Sequence, residues 1–119
     1  MNTNSEFKFK SFIYAFSGLK EAFSQANFRI HILAAIAVIA AGYFLKISSA
    51  EWCLVLLSIG IVLASECFNT AIEFLTNIVS PGINPAAGKI KDLSAGAVLI
   101  CALFALITGL IIFIPKLIQ

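Results

Sequence analysis

Three stretches of this chain are apolar for long enough to cross a lipid bilayer, and no other feature constrains the fold as much. Phe28 to Leu45, Trp52 to Val79 and Leu93 to Ile114 each approach or exceed the roughly 20 residues that cover a ~30 Å hydrocarbon core. Lipid offers no hydrogen bonds to an exposed backbone, so each block must be an α-helix that satisfies its own N–H and C=O groups. Composition agrees: 61% of the 119 residues are hydrophobic and 12% are charged, against roughly 25% charged in soluble domains. A soluble fold of this size has too little interior to hide so much apolar surface. The expected architecture is an all-α integral membrane protein, one membrane-embedded domain over residues 1–119, with transmembrane helices at 28–45, 52–79 and 93–114.

The breaks between the blocks are chemically distinct. Lys46 to Glu51 is a short polar interruption, and Ser80-Pro81-Gly82-Ile83-Asn84-Pro85 stops a helix because prolines remove donors and glycine favours turns. Lys89, Lys91 and Asp92 are expected to finish that loop. Trp52 and Tyr43 suit interfacial anchors. Ahead of the first span, over about residues 7–25, Phe9, Phe12, Ile13, Phe16, Leu19 and Phe23 recur at three- and four-residue steps with Lys8, Lys10, Lys20 and Glu21 between them. That pattern is an amphipathic helix, lying in the membrane interface or packed on the chain's own helices.

Lys8, Lys10, Lys20 and Arg29 precede the first span and Lys89 and Lys91 follow the second, whereas Lys46 and Lys116 lie on the opposite side. The excess places the N-terminus and the second loop in the cytoplasm of a multi-pass protein. Met1 to Lys10 carries no cleavable-signal pattern. A net charge of +2 with no basic run excludes nucleic acid as a partner. Cys53, Cys67 and Cys101 stand in apolar stretches without C-x-x-C spacing and read as small buried hydrophobes. His31, two residues after Arg29 at the membrane boundary, reads as a packing residue.

The second span carries Glu66, Asn69, Thr70, Glu73 and Asn77. At the helical repeat these fall within about a 100° sector, with Ser65 and Thr76 at or beyond its margin. A charged residue at mid-bilayer costs about 2.5–3.5 kcal/mol on insertion scales, so two glutamates on one face must meet protein or water. A carboxylate there can accept a proton from a hydroxyl, or hold a hard cation such as Mg²⁺ that carries phosphate. Hydrogen-bonded helix packing alone would explain the asparagines and Thr70 more readily than the two glutamates. At the cytoplasmic start of the third block, Lys91 could neutralise phosphate, and Asp92 could meet a ligand or cap the helix. Gly82 to Lys89 mimics a P-loop but has five residues between its glycines, no Ser or Thr after the lysine and no preceding strand.

Ala64-Ser65-Glu66-Cys67-Phe68-Asn69-Thr70-Ala71-Ile72-Glu73, together with Lys91-Asp92-Leu93-Ser94-Ala95-Gly96-Ala97-Val98-Leu99, resembles the prokaryotic diacylglycerol kinase and undecaprenol kinase family. Phe28-Arg29-Ile30-His31 resembles the family's segment at the head of its first span. The similarity runs from the Tyr14 region to Pro115. It implies a homotrimeric helical bundle of three-span subunits with an amphipathic surface helix, in the bacterial cytoplasmic (inner) membrane. It also implies ATP- and Mg²⁺-dependent phosphorylation of a membrane lipid alcohol, diacylglycerol or undecaprenol. By that resemblance Glu66 is the general base, Asn69 shapes the same site, and Glu73 binds the Mg²⁺ that bridges the ATP phosphates. Lys91 and Asp92 contact the nucleotide, with Tyr14, Gly82, Ile83 and Asn84 near it.

Three positions depart from the family pattern: Gln25 replaces a metal-binding glutamate, Asn77 replaces an aspartate, and Gly82 stands where a glutamate is common. An amide oxygen can still coordinate Mg²⁺ but brings no charge. The competing expectation is a kinase-fold relative without turnover, or a small conduit lined by Glu66 and Glu73. A conduit needs polar residues along a whole span, and Cys53 to Ala64 is almost entirely apolar.

Overall fold

A computed structural model describes residues 3–119 and, among them, four helices and no strand: α1 (Thr3–Phe23), α2 (Ala26–Phe44), α3 (Ser49–Val79) and α4 (Pro85–Leu117). Helices α2, α3 and α4 are each long and apolar enough to cross a membrane. The long helices α3 and α4 pack most extensively, α2 packs on α3, and α1 touches both α2 and α3. The result is a flat body of 54 × 50 × 20 Å.

Local chemistry sets the helix ends. Ser48 caps α3 by accepting from the Glu51 N–H at 3.1 Å while the Ser48 N–H donates to Glu51 Oε1 at 2.9 Å. This reciprocal capping box satisfies two donors that a helix start otherwise leaves unpaired. Glu51 also lies 3.4 Å from Lys116 Nζ, so the start of α3 is tied to the end of its antiparallel neighbour α4. Lys46 turns the chain between α2 and α3 with a φ of 55°.

The start of α4 corrects the expected loop. Asn84 accepts from the Ala86 N–H at 2.9 Å and Pro85 occupies the first helical turn, where its missing N–H costs nothing. The helix therefore begins at Pro85 rather than Leu93, and Lys89, Lys91 and Asp92 ride on its opening turns. Pro115 sits inside the last turn and α4 ends at Leu117.

At the end of the molecule away from the polar stripe, Ile47, Val55 and Ile112 form a small core flanked by Val38, Trp52, Ile59 and Phe113. Trp52 is half-buried, its ring lying over Gly42, so it packs against the chain as well as marking a helix end. None of the cysteines is buried: Cys67 and Cys101 are intermediate and Cys53 is exposed, which places its thiol on the outer face of the helices. In α1 only Ala22 is buried. The apolar stripe of α1 stays open, with Phe9, Phe12 and Phe16 each more than 65% exposed, so the chain's own helices do not cover it. Phe23 closes the corner into α2 through an edge contact with Phe28, ring centroids 5.0 Å apart.

Candidate active site

The buried face of α3 changes character along its length. Val55 and Val62 give way to Glu66, Asn69 and Thr70, all buried, and then to half-buried Glu73. Three helices meet around these groups. From α2, His31 Nε2 lies 3.1 Å from Glu66 Oε1. From α4, Ser94 Oγ donates to Asn69 Oδ1 at 2.7 Å. Within α3, Asn69 Nδ2 donates to Glu73 Oε1 at 3.3 Å. A turn closer to the loop, the Lys91 ammonium donates to the Asn77 side-chain oxygen.

The stripe is not one uniform surface. Thr70 opens with Cys67, Ala71 and Phe74 onto a shallow groove against Ala15, Gly18 and Ala22 of α1. Glu66, Asn69 and Glu73 instead meet α2 and α4 through the bonds above. The hydroxyls of Ser65 and Thr76 fold back onto the carbonyls of Val62 and Ile72, each at 2.7 Å, which uses the one donor that each has.

Two members of the cluster escaped the sequence reading. His31 is not merely a packing residue, because it reaches across from α2 to the buried Glu66 carboxylate. Its sequence signals were a polar ring at the head of an apolar span and its place in Phe28-Arg29-Ile30-His31, neither of which pointed to Glu66. Ser94 stands in the string that carries the family resemblance, but no role followed for it from the sequence, since serine is unremarkable near a helix start.

The remaining expected residues stand apart. Gln25 is half-buried at the N-cap of α2 and its side chain makes no capping bond. Tyr14 is 70% exposed. Asp92, Gly82, Ile83 and Asn84 are exposed, and the Asn84 side chain is engaged in capping α4. Among the described residues none of these hydrogen-bonds to the Glu66–Asn69–Glu73 group.

Among the described residues, no three His, Cys, Asp or Glu side chains gather into a metal cage. Mg²⁺ does not demand one, because it commonly binds through one or two carboxylates and completes its shell with phosphate and water. The Glu73 carboxylate and the Gln25 amide oxygen are hard oxygen donors of that kind.

A buried carboxylate with an imidazole 3.1 Å away, one turn from an amide and two from a second carboxylate, is a group able to accept a proton. The family model for prokaryotic diacylglycerol kinase matches residues 13–113, a span that contains the whole cluster. The chain belongs to the prokaryotic diacylglycerol kinase family. Its similarity to the undecaprenol kinase of Bacillus subtilis (strain 168) is 41% identity over 110 residues, covering 92% of this chain and 89% of that protein. To the diacylglycerol kinase of Synechocystis sp. it is 36% identical over 111 residues, which are 92% of this chain and 63% of that protein. The diacylglycerol kinase of Escherichia coli (strain K12) is 28% identical over 100 residues, 83% of this chain and 82% of that protein. The P-loop look-alike of the sequence lies at the turn into α4 and in its first turns, with Asn84 capping the helix, and no strand precedes it among the described residues.

Proposed function

We propose that this chain transfers the γ-phosphoryl group of ATP to the hydroxyl of a membrane lipid alcohol, with Glu66 as general base. The observation that carries the reading is the Glu66 carboxylate itself, 5% exposed where the buried face of α3 turns from apolar to polar and next to the Asn69–Glu73 pair. Such a group is costly in a membrane unless it has a task. Undecaprenol is the first alcohol to test, because the relative matched over nearly the full length of both chains is named for it; diacylglycerol is the second.

The lipid hydroxyl gives its proton to Glu66 as its oxygen bonds to the γ-phosphorus. The bond from that phosphorus to the β–γ bridging oxygen breaks, and ADP leaves. Asn69 holds the geometry between base and nucleotide. Glu73 and Gln25 would hold Mg²⁺, which would supply positive charge against the phosphates. Lys91 and Asp92 contact the nucleotide, with Tyr14 and the turn Gly82 to Asn84 beside it. Phosphoryl transfer is chiefly positioning and electrostatic stabilisation, which a few side chains can supply. The N-terminus and the loop before α4 face the cytoplasm of a bacterial inner membrane, α1 lies on that surface with its apolar stripe in the lipid, and the working unit is a homotrimer.

Purified protein in detergent, assayed with radiolabelled ATP against a panel of lipid alcohols, tests the reading. A phosphorylated lipid is expected from the wild type. Glu66→Gln is expected to retain folding and trimeric mass while losing on the order of 10²-fold or more in kcat. Unchanged turnover in that amide variant would remove Glu66 from the base role.

A further inference from the structure

We infer that His31 is the positioning residue for the base, fixing the Glu66 carboxylate by a hydrogen bond from Nε2; the inference rests on the reading of Glu66 as general base. A carboxylate oxygen can only accept, so at 3.1 Å from Glu66 Oε1 the His31 Nε2 carries the proton. A neutral imidazole suffices, with Nδ1 as its unprotonated nitrogen. The contact engages Oε1; among the described residues no fully buried side-chain oxygen lacks a partner, so Oε2, to which no bond is seen, is open to an incoming group. One oxygen is thereby anchored and the other is kept for the lipid hydroxyl.

The placement of His31 gives the contact a purpose beyond joining helices. It lies on the second turn of α2, and its 25% side-chain exposure contrasts with 6% for Glu66, so it sits between the buried base and the open surface. It also lines a cleft of about 410 Å³ whose other walls include Ala34, Ala35, Val38, Ile59 and Val62. The cleft is apolar but for Ser58, Thr108 and His31, and it is His31 that links it to the base, which does not itself line it. A lipid alcohol with its chain in that cleft presents its hydroxyl at this junction. Glu66 free to rotate would meet it in several orientations, only some of them productive, and misplacement on the ångström scale can cost about 10²-fold in rate.

The test compares His31→Met, which fills similar space without a donor, with His31→Gln, whose amide N–H reaches about as far as Nε2 and does not titrate. His31→Ala, Glu66→Gln and the double variant His31→Met/Glu66→Gln complete the set, all as full-length protein in the lipid kinase assay. His31→Met and His31→Ala are expected to lower kcat roughly 10- to 100-fold with KM for ATP unchanged. His31→Gln is expected to recover most of that loss. The double variant is expected to be no slower than Glu66→Gln alone, because an orienting residue has nothing to orient once the base is gone. Wild-type turnover in His31→Met or His31→Ala, or equal loss in Met and Gln variants, would overturn the inference. So would multiplicative losses in the double variant. The two readings fail differently: wild-type activity in Glu66→Gln removes the base, whereas loss in Glu66→Gln beside full activity in His31→Met removes only the role of His31.

Discussion

Ser94 on α4 donates its hydroxyl to Asn69 Oδ1 on α3 at 2.7 Å and so pins the oxygen end of the Asn69 amide. With Oδ1 engaged, the amide nitrogen is the atom that meets Glu73 Oε1, at 3.3 Å. A carboxylate cannot donate, so the reverse orientation would set two acceptors against each other. Asn69 is thus held at both ends, by a hydroxyl 25 positions along the chain and by the carboxylate one turn away.

Ser94→Ala removes the hold on Oδ1 and leaves the amide tethered through Glu73 alone. Hydrogen bonds between membrane helices average about 0.6 kcal/mol and reach about 1.7, so the loss of stability is expected to be small. The catalytic effect is expected to be larger, about tenfold in kcat, since small misplacements are costly where geometry carries the rate. Parallel thermal unfolding and lipid kinase assays separate the two. Equal activity in wild type and variant would show that Asn69 keeps its orientation unaided.

Gln25 is expected to set the magnesium requirement. Its amide supplies no negative charge to a metal shared with Glu73, so the wild type should need high free Mg²⁺, and Gln25→Glu should half-saturate at a lower concentration. The KM for lipid should barely move, because the hydroxyl meets Glu66. Titration of activity against free Mg²⁺ at fixed ATP checks this. Coincident curves would detach Gln25 from the metal, and activity confined to Gln25→Glu would identify the native chain as a silent relative of its family.

Gly42 leaves room for the Trp52 ring. A Cβ at that position would lie 2.9 Å from the ring edge and 3.0 Å from the Ile47 terminal methyl, so something must shift. Gly42→Ala gains about 1 kcal/mol of helix propensity against this crowding and is expected to come out near neutral. Gly42→Leu is expected to cost about 1–3 kcal/mol through overpacking. Trp52 is the single tryptophan of the chain. Its fluorescence should therefore shift in the leucine variant and hardly at all in the alanine variant.

Ala105 lines the apolar cleft below His31 and Glu66. Ala105→Phe fills part of that space at some distance from the polar cluster. If the lipid chain lies there, KM for the lipid alcohol should rise several-fold, with KM for ATP unchanged and a smaller effect on short-chain alcohols. Unaltered lipid kinetics in a folded variant would move the chain elsewhere.

Much of this protein is decided within single segments and is legible without a structure. Apolar length identifies the three membrane-crossing helices, because a helix is the way an isolated segment can satisfy its backbone in lipid. The 3.6-residue repeat places Glu66, Asn69 and Glu73 together, because spacing alone settles which residues of one helix share a face. The turn after Ser80 is equally local, although its end was misread: Asn84 and Pro85 start α4 where two prolines and a glycine suggested a longer loop. What lies between helices was not legible. That His31 reaches Glu66, that Ser94 orients Asn69, and that Thr70 turns toward α1 instead depend on how α1, α2 and α4 are rotated and shifted against α3. Those offsets come from side-chain packing summed over whole interfaces, which no local pattern encodes. The sequence alone determined where the buried carboxylates stand along the chain, and the tertiary structure decided which groups they meet.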